Sequence, residues 1–268
     1  MKTRIISAAI VLAIIIPILI VGGQIFNLTI YAIALLGLKE FLDIKETKKK
    51  IPPFIKFISY VILTLIVLGN TNPSELILKM DYRMIAGLFL VYLLPTVLYH
   101  DKSKYSISDA FYLIGGMFFL GLSFHLFIVL RHLYDNPNLI VFLLLITIIT
   151  DTFAYITGYL IGRYKLLEVI SPKKTWEGLI GGTIMGVFVS AVYYITVINP
   201  TINIFILLII TTFLSLLGQF GDLSFSAIKR FYGKKDFSNI MPGHGGVLDR
   251  LDSIIFVVLG YMFFITIL

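Results

Sequence analysis

The chain has 268 residues, of which 58% are hydrophobic and 14% charged, with a mean hydropathy of +0.96 and a net charge of +7. Soluble domains carry roughly 25% charged residues, so the composition predicts one polytopic membrane domain over 1–268 and no soluble domain. Cysteine is absent, which excludes disulfides, thiolate catalysis and cysteine-ligated zinc.

Apolar runs fall near residues 5–22, 25–42, 52–69, 83–99, 108–130, 138–162, 178–197, 203–228 and 252–268. A helical span needs ~20 mainly apolar residues. The runs therefore predict an all-α, polytopic integral membrane protein with about nine transmembrane helices. The first run follows Lys2 and Arg4 in the manner of a signal peptide. No small-x-small cleavage site follows it, so it is expected to stay as the first helix. Pro52-Pro53, Pro73, Pro137, Pro172, Pro200 and Pro242 mark helix ends or connectors. Pro17 and Pro95 lie inside runs, where a membrane helix tolerates a kink. Residues 1–140 read as scaffold helices, and 141–268 carry the unusual chemistry.

Orientation follows from Lys and Arg. A cytoplasmic N-terminus puts 19 of the 22 basic residues inside and leaves Lys79, Arg83 and Arg131 outside. The C-terminus then lies outside. The basic charge is topological on this reading, and a nucleic-acid partner is not expected. Lys48-Lys49-Lys50 reads as an anchor beside anionic lipid headgroups.

Three polar clusters, all toward the cytoplasmic side, interrupt the hydrocarbon. Asp151 sits inside an apolar run, where a carboxylate costs roughly 2.5–3.5 kcal/mol and needs a cation, a metal or a wet cavity. Asp151, Tyr155, Gly158 and Gly162 share one helix face, and the two glycines read as a small-xxx-small packing pair. The second cluster is Ser171-Pro172-Lys173-Lys174-Thr175-Trp176-Glu177-Gly178. Thr175 is a candidate cap. Lys173 and Lys174 meet a helix start that favours anions, with an anchoring role as their alternative. Trp176, the only tryptophan, reads either as an interfacial belt residue or as part of a site wall.

The third cluster, Gln219 to Asp252, is the most informative stretch. Asp222, Ser226 and Lys229 fall on one face of the eighth predicted helix, and Asp249 and Asp252 begin the ninth. Magnesium takes few carboxylates, keeps waters and binds substrate phosphate oxygens, a pattern that Asp222, Asp249 and Asp252 suit. A second cation is not readable from sequence. Lys229, Arg230 and Arg250 can neutralise phosphate, Arg through its fork. Lys235 and Asp236 lie in the same connector. Gly245-Gly246 permits close ligand approach. His244 reads as a base, a phosphate hydrogen-bonder or a turn residue, the second being favoured. His100, His125 and His132 lack metal-ligand spacing.

From Ser226 onward the chain resembles the signature of the phosphatidate cytidylyltransferase (CDP-diacylglycerol synthase) family. That pattern is Ser-x-aliphatic-Lys-Arg, four residues, Lys-Asp, a small residue, then His-Gly-Gly, an aliphatic, x and Asp-Arg-aliphatic-Asp. Ser226, Ile228, Lys229, Arg230, Lys235, Asp236, Ser238, His244, Gly245, Gly246, Val247, Asp249, Arg250, Leu251 and Asp252 occupy those places. Met241, where Leu, Ile or Phe is commoner, is a mild departure. The Ser171–Gly182 segment and the Asp151-x-x-Ala-Tyr-x-x-Gly run also look like family features. The resemblance implies that CTP and phosphatidate give CDP-diacylglycerol and pyrophosphate with magnesium. It further implies a helical fold whose polar cavity opens to the cytoplasmic side, and it alone raises a homodimer. Rival readings are a CTP-dependent polyprenol or lipid kinase and a membrane transporter; the long signature opposes the first, and polar residues gathered at one membrane face oppose the second.

Overall fold

The computed structural model describes residues 13–69, 82–133, 136–241, 243 and 245–264. Lys2, Arg4, Pro73, Lys79, Pro242 and His244 lie outside the described residues. Among those described, nine helical stretches account for nearly all regular structure. The chain is therefore an all-α membrane protein. Five stretches are long and apolar enough to cross a bilayer: Gly23–Glu46, Ile107–Leu133, Asn138–Ile161, Trp176–Ile198 and Ile204–Phe231. Pro53–Leu68 and Arg83–Leu98 are shorter apolar helices.

The chain divides into two compact units, one of Met1–Asp135 with Asp236–Leu248, the other of Asn136–Lys235 with Asp249–Leu268. In the first unit, α1 (13–21) stops at Gly22, whose φ of 67° suits only glycine-like backbone. Arg131 Nε and Nη2 donate to Leu19 O and Ile20 O at 2.9 and 3.0 Å. These are carbonyls the helix end leaves without partners. Then follow α2 (Gly23–Glu46), α3 (Pro53–Leu68), α4 (Tyr82–Leu98), α5 (Ile107–Gly116) and α6 (Leu122–Leu133). A π turn, Met117–Gly121, joins α5 to α6, so the two form one span. Proline at the first position of α3 fits a site where no N–H is needed. Ser106 and Asp109 form a reciprocal capping box at the start of α5. The Asp109 carboxylate also holds Lys45 and Lys49. The histidines here bond within this unit: His125 to Val67 O, His132 to Asn27, and His100 to Leu98 O.

The second unit contains α7 (Asn138–Ile161), a hairpin of β1 (Lys165–Leu167) and β2 (Ser171–Thr175), α8 (Trp176–Tyr193), α9 (Ile204–Phe231) and α10 (Leu248–Tyr261), whose first residue belongs to the other unit. The hairpin is unforeseen by hydropathy, because strands of three and five residues carry no readable alternation. Helices α7 and α8 meet along small residues. A side chain at Gly178 would come 2.6 Å from Ala154 O, and one at Gly182 would come 2.5 Å from Thr150 O. Lipid gives no hydrophobic drive to helix pairing, so such close backbone packing carries the association. Gly158 belongs to the same seam, 2.9 Å from Thr175 Oγ1 by its missing Cβ, as the spacing from Asp151 suggests.

Candidate active site

Helix α9 runs to Phe231, past the predicted span, and displays Asp222, Ser226 and Lys229 on one face. Ser226 Oγ donates to Asp222 Oδ1 at 3.3 Å. Lys174 on β2 reaches the other oxygen of the same carboxylate, 2.6 Å from Nζ to Oδ2, and also donates to Gln219 O at 3.3 Å. The hairpin thus aims Lys174 while Thr175, the next residue, caps α8 by accepting from Gly178 N at 3.1 Å. Gln219 fixes α8 to α9: its Nε2 donates to Thr183 Oγ1 at 2.9 Å and to Leu179 O at 3.3 Å.

Helix α10 starts at Leu248, ahead of the apolar run, and Asp249 and Asp252 lie in its first turns as expected. Lys229 Nζ donates to Asp249 Oδ1 at 2.6 Å, and both side chains are buried. Asp252 Oδ1 accepts from Ser253 N at 2.9 Å, and Ser253 Oγ donates to Asp151 Oδ2 at 3.2 Å. Asp151 is exposed. Asp151, Asp222 and Asp252 act on one another electrostatically, with Lys174 acting on Asp151 and Lys229 on Asp252.

Four aspartates, Asp151, Asp222, Asp249 and Asp252, therefore share the neighbourhood of two lysines, Lys174 and Lys229. Among the described residues no group of three or more His, Asp or Glu is arranged to hold a metal ion on its own.

The other candidates are placed differently. Lys173 is exposed on β2, and Lys235 is exposed beyond α9. Arg230 is exposed and donates to Ile170 O at 3.4 Å and Lys234 O at 3.1 Å, tying the hairpin to the end of α9. Arg250 is exposed at the start of α10. Asp236, Gly245 and Gly246 fall in the first unit, and His244 lies outside the described residues. There the loop turns at Gly243 and Gly245, with φ of 78° and 85°, and Met241 N donates to Gly245 O at 2.9 Å.

Sequence reasoning missed Ser253, Gln219 as a clamp, and Glu40. Ser253 and Gln219 carry no signal by themselves. Glu40 does, because a carboxylate within the second apolar run is costly to place near hydrocarbon.

A model of the cytidylyltransferase family matches residues 2–268. The chain is 38% identical over 259 residues to a phosphatidate cytidylyltransferase of Staphylococcus haemolyticus, covering 96% of each chain. It is 39% identical over 263 residues to the protein of that name from Staphylococcus saprophyticus, and 38% over 260 residues to that from Staphylococcus aureus, again covering 96% of each.

Proposed function

The chain belongs to the cytidylyltransferase family, and we propose that it is a phosphatidate cytidylyltransferase of phospholipid synthesis, making CDP-diacylglycerol and pyrophosphate from CTP and phosphatidate. Near-full-length similarity to relatives bearing that name carries the reading. The cluster of aspartates and lysines in the second unit supports the chemistry.

A phosphate oxygen of phosphatidate attacks the α-phosphorus of CTP. The new P–O bond forms as the bond from the α-phosphorus to the bridging oxygen breaks, and the electron pair leaves with pyrophosphate. A phosphate monoester has its second pKa at ~6, so the nucleophile is already ionised and no strong base is needed. The protein's work is positioning and charge stabilisation. Lys174 and Lys229 exchange their aspartate partners for phosphate oxygens, with Lys173, Arg230 and Arg250 as further cations near the phosphates. Asp222 and Asp249, with Asp252 beside them, would hold magnesium together with substrate phosphate, and the ion would supply neutralisation of the leaving pyrophosphate when bound. Asp151, through Ser253, holds the start of α10 against α7. Lys235, Asp236, Ser226 and the Gly245-Gly246 turn shape substrate binding, and His244 hydrogen-bonds phosphate.

The Lys and Arg distribution supports a cytoplasmic N-terminus and active site in the cytoplasmic membrane. Membrane lipids are then both solvent and substrate source, and a homodimer is compatible with this arrangement. The test uses purified protein in micelles with phosphatidate, magnesium and cytosine-labelled CTP, beside Asp249→Asn. Label in lipid with equimolar pyrophosphate, lost in the variant, is expected. CDP released instead, with a phosphorylated lipid, would make the enzyme a CTP-dependent kinase.

A further inference from the structure

Glu40 of α2 is fully buried, at 0% exposure, in a helix apolar enough to cross the bilayer. An ionisable side chain in such a place is costly, and the reaction above does not use it. Its carboxylate collects three neutral donors. Oε1 accepts from Ser238 Oγ at 2.6 Å and from Val247 N at 2.8 Å, and Oε2 accepts from Leu248 N at 2.8 Å. Ser238 precedes the glycine turn and Val247 and Leu248 follow it, so one carboxylate ties both ends of the loop. Gly246 lies flat against it. A Cβ there would come 2.5 and 2.6 Å from the two oxygens, so the loop backbone is moulded on Glu40. The bonded amides also stand at the start of α10, where N–H groups lack helical partners and negative charge is favoured.

We propose that Glu40 is the positioning residue of the Ser238–Leu248 loop, holding it in the conformation that substrate phosphate requires without touching substrate. The inference rests on the reading of that loop as part of a phosphate site. Glutamine is nearly isosteric with glutamate, but its amide must turn a donor toward a donor in this nest. Aspartate keeps the charge and falls one methylene short.

Glu40→Gln, Glu40→Asp, Ser238→Ala and Glu40→Gln/Ser238→Ala are compared with wild type in lipid nanodiscs. The readouts are kcat, KM for each substrate, thermal midpoint, and hydrogen exchange of the loop amides. Glu40→Gln should lower kcat by about tenfold or more, the worth of one or two charge-assisted hydrogen bonds, with KM for phosphatidate within about twofold. Its thermal midpoint should stay near wild type while exchange rises at 238–248 alone. Glu40→Asp should recover part of kcat. The double variant should be no worse than Glu40→Gln, since the two residues act as one unit. A wild-type kcat in Glu40→Gln, or additive losses in the double variant, overturns the proposal. So does a loss that merely follows a lowered midpoint with exchange raised throughout. If Glu40→Gln does not fold, Ser238→Ala decides by the same loop exchange and kcat. If wild type itself transfers no cytidylyl group, the functional reading fails separately. Loop exchange then still decides for or against Glu40.

Discussion

Lys229 Nζ lies 2.6 Å from Asp249 Oδ1, joining the end of α9 to the start of α10 through a buried ion pair twenty residues apart. Breaking such a pair by removing one member costs about 3–5 kcal/mol, because the remaining charge keeps its desolvation penalty. Lys229→Met should therefore lower the thermal midpoint in detergent and abolish turnover. Lys229→Met/Asp249→Leu should regain most of the stability, since apolar replacement of a buried pair is often neutral or better, while turnover stays absent. Turnover that returned with stability would make the pair purely structural.

The second pair behaves differently. Lys174 and Asp222 expose 24% and 30% of their side chains, so solvent screens them and the pair is worth at most about 1 kcal/mol of stability. Lys174→Gln should leave the midpoint nearly unchanged. It should still cut turnover by about 10²-fold, the usual loss when a preorganised charge on a developing oxyanion is removed. Paired measurements of midpoint and initial rate check this. A wild-type rate would return Lys174 to the role of a positive-inside anchor.

The seam of α7 and α8 predicts a steric effect. Gly182→Val would press side-chain atoms onto Thr150 O and Ala154, already 2.5 and 2.7 Å from an added Cβ. Overpacking of this kind costs about 1–3 kcal/mol, and backbone atoms cannot rotate away. Lower folded yield and a lower midpoint are expected, with residual activity per folded molecule near wild type because Gly182 touches no reacting group.

Much of this was legible in the chain because membrane solvent makes polar residues expensive. Asp151, Asp222, Asp249 and Asp252 stood out against hydrocarbon, and Thr175 announced the α8 cap it makes. The apolar runs located the helices but not their ends, since α9 carries its polar face beyond the apolar run. What was not legible was pairing. Nothing in the spacing says that Lys174 chooses Asp222, or that Lys229 chooses Asp249. Nor does it say that Arg230, a candidate for phosphate, also donates to Ile170 O and Lys234 O. Glu40 had the same signal as Asp151 but sat in helices read as scaffold. Its partners are some 200 positions away, at separations of 198 to 208, beyond any local pattern.

A nucleophile already ionised at neutral pH sets an order among variants. On the proposed roles, His244→Ala should lose less activity than Asp249→Asn, because a phosphate hydrogen bond to a charged group is worth ~1.5–3 kcal/mol and a carboxylate that held the metal would be worth more. Chelation of divalent cations should stop turnover, and higher magnesium or manganese should partly restore weak aspartate variants. Initial rates across pH give the check. A basic limb that vanished in His244→Ala, with the heavier loss there, would establish a general base after all.

Topology can be read without background, because the chain has no cysteine. Single cysteines replace Lys104, Lys173 and Thr201, all exposed in or beside connectors. With a cytoplasmic N-terminus, Lys104→Cys and Lys173→Cys should react with an impermeant maleimide only after cells are permeabilised, whereas Thr201→Cys should react in intact cells. The Lys173 position decides most, because it adjoins Lys174 and so reports the side of the membrane that carries the cluster of Asp222, Asp249 and Asp252. Labelling of Lys173→Cys from outside intact cells would invert the orientation and place the site on the side without nucleotide, which the positive-inside distribution opposes.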